Sequence, residues 1–243
     1  MSSLRALRES QFANYLRSYW HLLRPPIRPL SALPLLQRIS SYGIEKPKKL
    51  LHVGANTGAE TKYYSENDIE AWHVEAIPEV HDLLVRNCQQ NLSQHPILAC
   101  LSSAGGKQVS FNISSNSGLS SSLLELGRHG KAYPTIYYSK RISLTTSTGD
   151  DLIAEGRIPP DIDFLVIDAQ GAEFLILQGA KGLLSSGSLK GAMIETAAEP
   201  LYDGGVTYID ISSELRSHGL YLCQAVFNMN GWCDAIYGGK YWP

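Results

Sequence analysis

The residues with the clearest chemical meaning lie in three places along the 243-residue chain. The first is the run Leu50-Leu51-His52-Val53-Gly54-Ala55-Asn56-Thr57-Gly58, an apolar stretch that breaks into a glycine-bearing turn. Such a turn lets backbone N–H groups approach a ligand at the start of the next helix. Read without a ligand, it is a tight strand-to-helix turn. The second is Glu75, which closes another apolar run 21 residues beyond Gly54. An acid about 20 residues past the turn is placed to bind a ribose diol; by itself it is also an ordinary strand-end carboxylate. The turn is Gly54-x-Asn56-x-Gly58, not the dinucleotide fingerprint, and it holds no Lys or Arg to meet a pyrophosphate. The chain has no phosphate-binding loop of the Gly-x4-Gly-Lys type. A nucleoside without phosphates satisfies all of these features, so S-adenosyl-L-methionine is the expected cofactor.

The third place is a pair of acids. Asp168 follows the apolar run Phe164–Ile167, and Glu195 follows Lys190–Ile194. Asp168 is the candidate base, or the group that orients an acceptor; the alternative is a helix N-cap. Glu195 is the candidate partner for an acceptor hydroxyl, or an exposed strand end. Glu173 falls in the first turn of a helix, where the dipole favours a carboxylate, and is read as structural. The seven histidines form no ligand-spaced pair, so no resident metal is expected; the alternative is a single magnesium held by Asp168 and Glu195. Cys88, Cys100, Cys223 and Cys233 are scattered with no C-x-x-C pair, which argues against a clustered zinc site and a secreted disulfide scaffold.

These residues need elements to hold them at one edge. Strand-length apolar runs at Lys49–Val53, Ala71–Val74, Ile97–Leu101, Phe164–Ile167, Lys190–Ile194, Leu220–Phe227 and Asp234–Tyr237 alternate with amphipathic stretches. Helices are predicted near Ala59–Glu66, from Pro78, over Glu173–Leu184 and around Asp210–Ser217. The alternation predicts an α/β fold with a mostly parallel sheet covered on both faces and a final antiparallel pair. Lys107–Ile113 and Arg141–Thr146 interrupt the rhythm as an inserted β-element. The serine-rich stretch Ser114–Ser122 between them reads as a flexible loop near the site, a candidate lid or a solvated turn.

Composition is that of a folded chain, 44% hydrophobic and 18% charged. No run approaches the length of a membrane span, and Arg5, Arg8 and Arg17 interrupt any signal-peptide block; a cytoplasmic location is expected. The net charge of −2 conceals a split. Residues 1–50 carry nine Lys/Arg against two Asp/Glu, and residues 51–243 carry 12 against 21, or +7 and −9. Residues 3–24 read as an amphipathic helix ended by Pro25 and Pro26, and Pro25–Pro34 as a stiff connector. A short helical piece over Leu35–Tyr42 follows. The expected organisation is a basic helical extension, residues 1–48, and a cofactor-binding domain, residues 49–243. The extension is read either as lying on an anionic membrane surface or covering the active site, or as packed on the core with its arginines in solvent.

With these motifs in order, the chain resembles the FkbM family of S-adenosylmethionine-dependent methyltransferases. The resemblance runs from Leu50 to Tyr237 and rests on His52–Gly58, Glu75-Ala76-Ile77-Pro78, the Asn116–Ser122 loop, Thr148-Gly149-Asp150-Asp151-Leu152, and Ile167-Asp168-Ala169-Gln170-Gly171-Ala172-Glu173. Leu177-Gln178-Gly179-Ala180 and the stretch from Asn228 to Ala235 extend it. His52 stands where an aspartate is usual, and Ala169 replaces a common valine. The resemblance implies a class I, Rossmann-like seven-stranded sheet and O-methylation of a hydroxyl on a sugar or natural product, a small-molecule acceptor with no nucleic-acid partner. It places Gly54, Ala55, Asn56 and Gly58 at the methionine portion, Glu75 and Ala76 at the ribose, Ser102 and Ser103 near the adenine, and Asp168 beside the cofactor. N-methylation with the same cofactor and a degenerate fold serving as a binding module remain as alternatives; the His52 departure keeps the latter open. A nicotinamide dehydrogenase is a weaker third.

Overall fold

The computed structural model describes residues 34–239. The expected helix over 3–24 and the connector over Pro25–Pro34 fall, apart from Pro34, outside them. A compact body begins at Ile39, just within helix α1 (Leu35–Ser40). Ile44 is buried there and closes against Gly191 and Gly238 of the sheet.

Seven strands form the main sheet. They are β1 (Lys49–Val53), β2 (Glu70–Glu75), β3 (Gln94–Leu98), β7 (Phe164–Ile167), β8 (Gly191–Ala197), β9 (Tyr221–Gln224) and β10 (Trp232–Gly238). Their order is β3-β2-β1-β7-β8-β10-β9. The pairs from β3 to β8 are parallel, and β10 runs antiparallel to both its neighbours. This is the mostly parallel, class I methyltransferase sheet expected. Order reverses between β1 and β7, the position where doubly wound sheets open a crevice at their carboxyl ends. Val53 pairs with Val74 on one side and Ile167 on the other, so Gly54, Glu75 and Asp168 emerge together.

Both faces are covered. Leu51, Val53, Trp72 and Val74 pack with residues from α5 (Gly149–Ala154), α6 (Glu173–Gln178), α7 (Lys181–Ser185) and α8 (Tyr208–Ser217). On the opposite face His52 and His73 meet Tyr64 of α2 (Thr61–Glu66). Beyond it, Leu84 and Cys88 of α3 (Pro78–Cys88) enclose Ala55. Thr148 and Asp151 form a reciprocal capping box at α5, and Asp150 accepts from the N–H groups of Gly182 and Leu183 at 2.8 and 3.1 Å.

Three expectations are corrected. The third strand ends at Leu98, three residues earlier than predicted, because Cys100–Leu101 leaves the sheet as β4 and pairs with β6 (Tyr138–Ser147). Pro96 is tolerated within β3 because that strand is an edge. The helix over Glu173–Leu184 breaks at Gly179, where a Cβ would lie 2.1 Å from the Ser102 carbonyl oxygen; backbones approach there too closely for a continuous side-chain-bearing helix. The inserted element does form, as β5 (Gln108–Ser114) antiparallel to β6. Its serine-rich connection is tied rather than loose: Ser114 Oγ donates to Asn116 Oδ1 at 2.6 Å, and Ser121 Oγ accepts from Ser114 N at 3.0 Å. Ser114, Ser120, Ser121 and Ser122 are buried. Composition alone does not distinguish serines facing water from serines satisfying one another.

Candidate functional site

A cleft of about 680 Å³, its open mouth included, lies over the carboxyl ends of β1, β2 and β7. That is the size range of a small-molecule site. Gly54 forms part of its floor with φ +80°, and a Cβ there would lie 1.8 Å from the Asp168 carbonyl oxygen. Only glycine permits this contact between the β1 and β7 exits. Asn56 follows in a left-handed conformation, φ +50°.

Glu75 is buried and binds the turn from the side. Its two oxygens accept from Asn56 N at 3.0 Å and Ile77 N at 2.8 Å. Burial pushes its carboxyl above the usual carboxylate range, and those N–H groups pull it back. Each oxygen keeps acceptor capacity toward the cleft. The inserted element supplies the facing wall through Phe111, Gly118, Leu119, Ser121 and Leu123. Among the described residues, no Lys, Arg or His lines this cleft.

Asp168 stands at the floor, open to water through the cleft and ringed by protein. Gln170 Nε2 donates to Asp168 Oδ1 at 2.6 Å and to Glu195 Oε2 at 2.7 Å. The Tyr202 hydroxyl donates to Gln170 Oε1 at 2.6 Å, and Ser122 Oγ donates to the Gln170 carbonyl at 2.8 Å. Enclosure raises both acids. Glu195 rises well above the usual carboxylate range, pushed by burial first and then by the Asp168 charge. Asp168 is raised by enclosure, but hydrogen bonds from Gln170 and Glu195 favour its ionised form. Burial thus disfavours charge on both acids, and the hydrogen bonds favour the charged form of Asp168.

A second, narrower chamber of about 360 Å³ opens on the far side of Glu195, with Leu201, Tyr202, Val206, Ile211 and Trp232 among its walls. Gln170 lines the first chamber, and its successor Gly171 lines the second.

The residues singled out in sequence divide accordingly. Gly54, Asn56, Glu75, Ala76 and Asp168 line the cleft, and Glu195 meets them through Gln170. Ala55 and Gly58 do not line it; Ala55 packs on Leu84 and Cys88, and a Cβ on Gly58 would meet Leu84 and Thr61. Ser102 and Ser103 are also absent from the lining, which there consists of Ala99, Cys100 and Leu101. The early end of β3 moves the crevice by those residues. Asp168 is not a helix cap: α6 starts after Ala172, and Glu173 instead gathers the N–H groups of Ala169 and Gly171 at 2.9 and 3.0 Å. Gln170 and Tyr202 carry no sequence assignment. A Gln-Gly step hints at a turn, but nothing near Tyr202 reveals a partner 32 residues away. His52 faces α2, not the cleft. Among the described residues there is no metal-ready cluster of His, Cys, Asp and Glu, and no helix long and apolar enough to cross a membrane.

Comparison with known proteins adds a family. The Methyltransferase FkbM domain matches residues 52–220. No curated protein matches the sequence. Similar solved structures include a SAM-dependent methyltransferase from Aquifex aeolicus, 11% identical, covering 90% of this chain and 96% of that one with a TM-score of 0.47. A TehB-like SAM-dependent methyltransferase from Corynebacterium glutamicum is 13% identical, with coverages of 97% and 100% and a TM-score of 0.42.

Proposed function

Because the chain belongs to the FkbM methyltransferase domain family across residues 52–220, we propose that it transfers a methyl group from S-adenosylmethionine to a hydroxyl of a small-molecule acceptor, a sugar or natural product. The cleft fits this donor. Gly54 leaves the cleft floor without a side chain, Glu75 offers carboxylate oxygens to a ribose diol, and among the described residues the lining has acidic groups but no cationic side chain. That charge pattern suits a sulfonium and disfavours a pyrophosphate. Gly54 and Asn56 would meet the methionine portion, and Ala99, Cys100 and Leu101, in place of Ser102 and Ser103, the adenine. When bound, the donor supplies an electrophilic methyl group.

The observation that carries the choice of a hydroxyl is the Asp168–Glu195 pair. A hydroxyl becomes a good nucleophile only as its proton is taken, whereas a neutral amine already presents its lone pair. Ionised Asp168 at the cleft floor is the base. Protonated Glu195 orients the acceptor from the second chamber. The partly enclosing walls strengthen these interactions, and holding the acceptor oxygen in line supplies much of the rate.

The test is a panel of alcohols, phenols and matching amines incubated with labelled donor and read by mass spectrometry. Hydroxyl acceptors should gain a methyl increment, and Asp168→Asn should bind donor by calorimetry yet transfer none. Methyl gain by amines alone would overturn the hydroxyl assignment, and absence of donor binding would overturn the whole reading.

A further inference from the structure

We propose that Gln170 is the positioning residue of this site, an amide clamp that holds the Asp168 and Glu195 carboxyls as one proton-sharing pair. The inference rests on the reading of Asp168 as the base. The two Nε2 hydrogens are divided between the carboxyls, at 2.6 and 2.7 Å. The direction of the amide is set from behind by the Tyr202 hydroxyl on Oε1. An amide turned end for end would set its oxygen against the Asp168 carboxylate, which has no hydrogen to donate.

The backbone is built around this placement. Gln170 takes φ +53° and Gly171 φ +97°, and a Cβ at Gly171 would lie 2.7 Å from the Tyr202 ring. A left-handed glutamine is strained and persists where its surroundings over-determine it. Those surroundings are the Ser122–Gln170 carbonyl bond and the buried Tyr202 ring, which stacks on His129 at 5.2 Å. His129 Nε2 in turn lies 3.4 Å from Ser120 Oγ, so the inserted element backs the clamp.

The groups facing the pair leave a proton as its compensating charge. Asp234 acts on both acids, Glu173 on Glu195, and Asp168 is felt by Glu60, while Tyr138 and Tyr202 border the cluster. Among the described residues, no Lys or Arg joins these groups in acting on the pair. Two carboxylates held this close by one amide cannot both ionise cheaply, and the amide N–H lowers the cost of keeping the charge on Asp168.

The experiment compares wild type with Gln170→Met and Tyr202→Phe in two readouts. One is the pH–rate profile of methyl transfer; the other is a carbon-13 NMR titration of the Asp and Glu carboxyls in the protein without donor, with Asp168→Asn for assignment. Loss of a charge-assisted hydrogen bond should raise the Asp168 titration, and the acidic limb of the rate profile, by about one pH unit in Gln170→Met. Tyr202→Phe should move both the same way by less, and it keeps the glutamine should Gln170→Met not fold. The maximal rate should fall more than the KM for donor rises. A limb and a titration that stay in place while activity drops evenly at every pH would reduce Gln170 to packing and overturn the clamp. If wild type transfers to no hydroxyl, the functional reading fails, and the NMR titration alone still decides the clamp.

Discussion

Replacing His52 by leucine removes a buried imidazole from between the sheet and α2 and tests how much pH dependence that layer contains. His52 is enclosed by His73 at 5.8 Å and Tyr64 at 6.0 Å between ring centroids, with its Nδ1 3.5 Å from the Tyr64 hydroxyl. Burial pushes it down from 6.5 to about 3, with a smaller push from His73. In the unfolded chain the imidazole takes a proton below about 6.5, whereas in the folded protein it does not until about 3. Stability is therefore intact above pH 6.5 and is lost as pH falls toward 3. Each pH unit is worth about 1.4 kcal/mol, so the whole window amounts to about 5 kcal/mol and the part between pH 6.5 and 5 to about 2 kcal/mol. Urea unfolding at pH 7 and pH 5 reads this directly. Between those conditions wild type should lose about 2 kcal/mol more than His52→Leu. His73, also lowered by burial, remains in both proteins and leaves part of the slope. Equal losses in the two proteins would refute a neutral buried His52.

Gly54→Ala forces a Cβ to 1.8 Å from the Asp168 carbonyl at φ +80°, so β1 and β7 must part; both the thermal midpoint and donor binding should collapse. Glu75→Gln can still accept one of the two N–H bonds from Asn56 and Ile77 but sets its amide hydrogens against the other. Donor affinity by calorimetry should fall at least about tenfold. Glu173, raised by burial to about 7, accepts both of its backbone bonds on one oxygen. Glu173→Gln keeps those bonds and should raise the unfolding midpoint at pH 8 more than at pH 5, because the wild-type carboxyl loses stability as pH rises from its ordinary range through 7. Deleting residues 1–33 spares the body that begins at Ile39; donor binding should survive, and a selective loss of acceptor turnover would assign the basic segment to acceptor recognition.

What local order dictates was legible in the residues. Apolar runs of strand length alternating with amphipathic stretches allow one family of answers, and β1, β7 and α3 stand where that pattern puts them. The Gly54 turn and the acid that follows it were legible for the same reason: a backbone that must bend sharply beside a ligand needs glycine at a countable distance from the next strand. The FkbM resemblance runs along these same motifs.

Contacts across the chain were decided only in three dimensions. Pro96 and the departure of Cys100–Leu101 shortened β3, and that pairing choice replaced Ser102 and Ser103 with Ala99, Cys100 and Leu101 in the cleft. His52, which read as a departure in a cofactor motif, proved to belong to the other face, because alternate residues of a strand point in opposite directions. Serines that read as a loose loop are tied to one another, since a hydroxyl spends its donor on whatever partner packing supplies. Gln170 is the clearest instance. Its type and place were visible in the Asp168-Ala169-Gln170-Gly171 run, yet its partners Glu195, Tyr202 and Ser122 lie 25, 32 and 48 residues away. Spacing encodes what a few bonds of backbone can reach. Which side chains share a proton depends on distances that only the closed sheet and its insert determine.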